Sequence, residues 1–142
     1  MGPCLAAGLT LCFYPSFRVC PSMPALARRF LREMPDYDRW GIHVLASQTA
    51  DGAVTIGDSH EYSDAVDIFD KPEIDDLILR YFDGFCELPE RRIAQRWHGV
   101  YAKHPDLPYF YAEPHPQVQI VTATGGSGMT LSFGIAERTL DL

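Results

Sequence analysis

Apolar positions recur along this chain in two rhythms. Between Ser22 and Met34, the residues Met23, Leu26, Ala27, Phe30 and Leu31 return at steps of three and four, with Arg28, Arg29 and Arg32 on the other side. That spacing predicts an amphipathic surface helix, opened by Pro21 and Ser22 and ended by Pro35, whose arginines form a solvated face. The same rhythm in Ile74, Leu77, Ile78, Tyr81, Phe82 and Phe85 predicts a second helix over Lys71–Phe85. Asp70 is its expected N-cap and Pro72 suits its first turn. Glu73, Asp75 and Asp76 offset the helix dipole there and are not read as acid or base groups. Elsewhere the apolar residues run or alternate as in strands. Gly41–Ser47 and Ala53–Gly57 flank Thr49-Ala50-Asp51-Gly52, and an Asp-Gly pair between two apolar runs predicts a β-hairpin. Ala7–Tyr14 reads as a strand stopped by Pro15. Arg91–Lys103 reads as a long strand with imperfect alternation, Tyr109–Ala112 as a short strand and Glu113–Pro116 as a loop.

The last stretch organises the rest. Gln117–Thr124 is rich in β-branched residues and reads as a buried strand. It breaks at Gly125-Gly126-Ser127-Gly128 and resumes with Met129, Leu131, Phe133, Ile135 and Ala136, predicting a helix over Met129–Thr139. A glycine turn between strand and helix presents backbone N–H groups at a helix N-terminus, where the dipole favours an anionic or electron-rich group. Glycine also lets the backbone approach a flat ligand closely. Such a turn is more often plain connection than a site, and it is neither G-x-G-x-x-G nor a phosphate loop. The fold class is α+β: an antiparallel sheet built from the Ala7, Gly41, Ala53 and Arg91 segments, covered by the two helices and closed by the strand, turn and helix.

Composition narrows the field. The chain has 142 residues and a formal charge of −7, which argues against nucleic acid or an anionic membrane surface as partner. Its apolar runs are too short to span a bilayer. The first basic residue is Arg18, so a signal peptide is not expected, and Cys4, Cys12, Cys20 and Cys86 are read as reduced thiols of a cytoplasmic protein. They show no Cys-x-x-Cys or Cys/His ligand spacing, so no metal site is expected.

Three motifs carry a resemblance. Gly126, Gly128, Ser132 and Gly134 fit a G-x-G-x-x-x-S-x-G turn. Asp51-Gly52, Ile56-Gly57 and Glu61 fit D-G-x-x-x-I-G-x-T-x-E, with Ser59 in place of Thr. Trp97, Gly99, Pro105, Asp106 and Pro108 fit W-x-G-x-R-P-x-T-P-D-G-x-P. Together they resemble the C-terminal portion of the D-amino-acid oxidase and glycine oxidase-like family of FAD-dependent oxidoreductases. The resemblance implies a substrate-domain portion over residues 1–116 and a flavin-contacting strand–turn–helix over 117–142. The cofactor it implies is FAD, held by Gly125, Gly126, Ser127, Gly128, Met129 and Thr130 at the pyrimidine end of the flavin ring. The family's N-terminal Rossmann unit, with the G-x-G-x-x-G that grips ADP, has no counterpart here. A separate N-terminal FAD-binding half is therefore an expected partner, beside a small-molecule amine substrate.

The departures bear on that substrate. The family arginine that pairs with a substrate carboxylate falls at Tyr101, the following proline at Ala102 and the threonine at His104, and the glycine after the aspartate is missing. An arginine fork suits a planar carboxylate. Its replacement, with Trp97–Pro105 and Gly41-Ile42-His43, resembles a branch associated with aminophosphonate breakdown, so His43, His60, Tyr101 and Lys103 are the expected substrate-binding residues. Three readings stay open at this point: the C-terminal part of an FAD-dependent amine oxidoreductase, a non-catalytic binding module, and an inactive truncated fragment.

Overall fold

The Asp51-Gly52 pair folds the chain back on itself. In the computed structural model, which describes residues 4–6 and 10–140, Gly52 takes a φ of +90°. The Ala53 N–H donates to the Asp51 carboxylate at 3.1 Å, and the Thr49 N–H donates to the Ala53 carbonyl at 2.9 Å. Strands β2 (Leu45–Gln48) and β3 (Val54–Gly57) pair antiparallel from Leu45↔Gly57 to Gln48↔Val54, as the hairpin motif predicts. A short β1 (Cys4–Ala6) adds antiparallel to the other edge of β2.

The expected strand over Ala7–Tyr14 is corrected. Residues 7–9 lie outside the described residues, and the strand lies at β1 instead. Thr10–Phe13 is a single helical turn, α1, followed by a 3-10 turn at Pro15–Val19. A short apolar run carries no period that separates strand from helix. Here Thr10 is buried, and its hydroxyl donates to the Val44 carbonyl at 3.5 Å.

Helix α2 (Met23–Glu33) buries Met23 and Phe30 and packs on α1, the 3-10 turn and α3 (Pro35–Arg39). Pro35 ends α2 and opens α3, where a proline needs no N–H. The cover of the hairpin comes from α4 (Pro72–Asp83). Its Ile74 and Phe82 join Ile42, Val44 and Ala46 in one apolar core, flanked by Tyr37, Trp40, Leu77 and Tyr81. The cap of α4 is corrected from Asp70 to Lys71, whose backbone is extended and makes no side-chain cap bond. Its carbonyl accepts the Ile74 N–H at 2.9 Å.

The chain divides into two units, Met1–Arg92 and Ile93–Leu142. In the second, β4 (Phe110–His115) and β5 (Val118–Thr122) form an antiparallel hairpin, with a shift in register between Ala112 and His115. Strand β4 thus runs through Glu113–His115, where a loop was expected. Helix α5 (Gly128–Leu140) follows a 3-10 turn at Gly125–Ser127. The long strand expected over Arg91–Lys103 is absent: residues 91–102 join no sheet, and pairing begins with the bridge Lys103↔Thr124. Alternation supplies a face, but a strand also needs a partner, and residues 91–100 are all exposed. None of the described residues of this second unit is buried. The class is α+β, as expected. Among the described residues no helix is long and apolar enough to cross a membrane.

Candidate functional site

Two clusters hold the chemistry, one in each unit. In the second unit, β5 leads through Ala123 (φ +58°) and Thr124 into Gly125 (φ +59°). Left-handed backbone at Gly125 favours a residue with no Cβ. The segment before β4 braces the turn: the Gly125 N–H donates to the Ala102 carbonyl at 3.1 Å, and the His104 N–H donates to the Ala123 carbonyl at 3.1 Å. This lays Tyr101 and Lys103 against the glycines. A Cβ on Gly126 would stand 3.4 Å from the Tyr101 hydroxyl, and one on Gly125 would stand 3.5 Å from Lys103 Cγ. A Cβ on Gly128 would approach Thr124 Oγ1 to 2.8 Å, so the crowding at Gly128 comes from its own turn.

The 13-residue α5 starts at this point, and a helix leaves its first-turn N–H groups without carbonyl partners of its own. An open cleft of about 940 Å³ lies beside it, lined by Tyr101, Thr124, Gly125, Gly128, Ser132 and Ile135 among others. Ser127 stands in the turn, with Met129 and Thr130 exposed in the first turn of the helix. The Ser132 hydroxyl donates to the Met129 carbonyl at 2.9 Å. The predicted cofactor residues and two of the predicted substrate residues are thus neighbours, brought together by the short pairing of Lys103 with Thr124.

His43 and His60 meet in the first unit. Beyond the hairpin ladder, the His43 N–H donates to the Asp58 carbonyl at 3.2 Å, and the Asp58 N–H donates to the His43 carbonyl at 2.8 Å. This pair is one residue out of step with Leu45↔Gly57, and it turns both side chains to one side. His43 Nε2 lies 3.2 Å from Asp58 Oδ1, and His60 Nε2 lies 3.7 Å from Asp58 Oδ2. The two imidazoles stack at 4.9 Å, with Tyr14 edge-on to His43 at 5.6 Å. His60 Nδ1 lies 3.2 Å from the Gly41 carbonyl, which only accepts, so Nδ1 carries the proton. Burial pushes the His43 imidazole below its ordinary pKa, while the Asp58 carboxylate pulls it back up. Asp58 escaped the sequence reading. Counting outward from the Asp51-Gly52 turn sets His43 across from Ser59, so the hairpin signal reaches the neighbourhood of Asp58 and the slip in pairing supplies the rest.

The model of one family, described as FAD dependent oxidoreductase, matches residues 11–142. No curated protein and no solved structure matches the chain.

Proposed function

The chain belongs to the FAD dependent oxidoreductase family, and from that premise we propose that it supplies the flavin-facing and substrate-facing side of an amine-oxidising enzyme whose substrate is an aminophosphonate. The observation that carries this reading is the placement of Tyr101 and Lys103 against the glycine turn at the start of α5. The turn fits the cofactor. The glycines let the turn close against Thr124 and Tyr101, and the N–H groups at the start of α5 suit the electron-rich pyrimidine edge of a flavin. The chemistry that FAD would supply when bound is hydride acceptance from the carbon bearing the amine. The chain's own residues position and polarise. The first turn of α5 favours negative charge at the ring edge. The Tyr101 hydroxyl offers a hydrogen bond in place of an arginine fork. The Lys103 ammonium offers a point charge to a tetrahedral dianion, which needs no planar partner.

The grip on the ADP moiety is assigned to a separate nucleotide-binding half. The sequence holds no G-x-G-x-x-G. The second unit also leaves apolar surface uncovered: Met129 is 90% and Phe133 87% exposed on α5. Such surface marks a place where another surface packs.

The chain alone should therefore bind FAD with a dissociation constant weaker than about 1 μM. Adding a half that carries the glycine fingerprint should yield a yellow complex that oxidises an aminophosphonate with a higher kcat/KM than the matching α-amino carboxylate. Tyr101→Arg should move that preference toward the carboxylate. Colourless complexes would defeat the flavin reading. A wild-type preference for the carboxylate would defeat the substrate reading alone.

A further inference from the structure

We propose that His43, Asp58 and His60 form a binding site for one divalent first-row transition ion, zinc being the type, independent of the flavin-facing turn. Three donors from two neighbouring segments converge here, and their ligand atoms all lie within 4.8 Å of one another. Zinc bonds of about 2.0–2.2 Å at tetrahedral angles place adjacent ligand atoms about 3.3–3.6 Å apart. The two histidine–carboxylate separations, 3.2 Å from His43 to Oδ1 and 3.7 Å from His60 to Oδ2, bracket that spacing, each to its own oxygen of the Asp58 carboxylate.

The proton on His60 Nδ1 is the second argument. The Gly41 carbonyl accepts it, as the outer partner of a metal-bound histidine commonly does. The tautomer this selects puts a lone pair on Nε2, which faces Asp58 Oδ2 at 3.7 Å, too far for a hydrogen bond. A lone pair opposed to a carboxylate oxygen is an electron-rich confrontation that a cation resolves. A phosphonate or phosphate dianion brought to the same place meets the Asp58 carboxylate and is repelled. His43 is 3% exposed, which anchors one ligand rigidly, while the Asp58 side chain is 54% exposed. Three protein ligands leave coordination positions open on that solvent side for water or for an oxygen of a bound molecule.

The test uses the full chain, stripped of metal with a chelator and titrated with Co²⁺ as the spectroscopic probe. One equivalent should bind with visible ligand-field bands, and Zn²⁺ should displace it. Asp58→Asn and His60→Gln should each weaken binding by more than about tenfold, while His115→Gln, on β4, leaves it unchanged. Zn²⁺ should raise the melting temperature of wild type and not that of Asp58→Asn, a comparison that needs only folded protein. Absent bands would overturn the proposal. So would equal binding by wild type and Asp58→Asn. Inorganic phosphate stabilising wild type more than Zn²⁺ does, with the effect lost in His60→Gln, would make this an anion site instead.

Discussion

Gly41 does two things that no other residue type can combine. Its φ of +54° lies in the left-handed region, and an added Cβ would come within 2.8 Å of the His60 carbonyl oxygen. The neighbour is backbone, so it cannot rotate aside. The Gly41 carbonyl meanwhile accepts the His60 Nδ1 proton. Gly52 is the natural contrast. Its φ is +90°, yet a methyl group added there would meet nothing within 4 Å. Gly52→Ala should therefore cost only the backbone strain, about 1–2 kcal/mol in urea unfolding. Gly41→Ala should cost more than Gly52→Ala and should shift the His60 ring resonances by NMR, because the clash displaces the His60 backbone. Equal losses for the two variants would show that the contact at Gly41 relaxes without consequence.

At the scale of elements, one hydrogen bond ties α3 to α4. The Tyr37 hydroxyl donates to the Leu77 carbonyl at 3.1 Å, and its ring packs edge-on against Tyr81 at 5.7 Å. Burial holds the Tyr37 hydroxyl above its ordinary pKa of 10.0, with Tyr81 and Asp36 adding to the rise and Arg80 opposing it. A phenol whose folded pKa is raised contributes stability that is complete below the unfolded value. That stability is lost as pH climbs through the folded one, since the unfolded chain then releases its proton first. Tyr37→Phe should cost about 1 kcal/mol at pH 7 and should flatten the fall in stability above pH 10, measured by urea titration at both pH values. An unchanged alkaline fall would assign it to other groups. The elements themselves were legible where two signals agreed. Periodicity plus Pro72 gave α4, and the Asp-Gly pair plus its flanking runs gave β2 and β3. Arg91–Lys103 misled because period-two alternation is a property of one segment, whereas a strand is a property of two. The site followed the same rule. Gly125–Thr130 lie in one stretch and could be read directly. The join of Tyr101 and Lys103 to that stretch rests on pairing with Thr124, which no local pattern encodes. The meeting of His43 with Asp58 depends on a slip in pairing that begins only past the regular ladder.

Across the whole molecule, the two units differ in how they are held. The first has a core of Ile42, Val44, Ala46, Ile74 and Phe82, while the second has no buried residue among those described. A two-stranded hairpin is marginal by itself in water, so the second unit gains most from being covered, which is what the proposed nucleotide-binding half would do. The register shift between Ala112 and His115 acquires another meaning in that light. Among the described residues this sheet contains only β4 and β5, so the far side of β4 is a row of backbone groups open to templating by a second chain. Pro114 has no N–H to offer a neighbouring strand, the register shift interrupts the ladder beside it, and Glu113 adds a charge; these are devices by which natural sheets discourage edge-to-edge growth. Pro114→Thr should return a backbone donor to β4. Light scattering by the variant should then climb with concentration and time under conditions in which wild type stays clear, and equal scattering would mean that the guard lies elsewhere. The register shift in this hairpin is thus expected to act against fibre growth along the edge of a unit that leaves Met129 and Phe133 exposed.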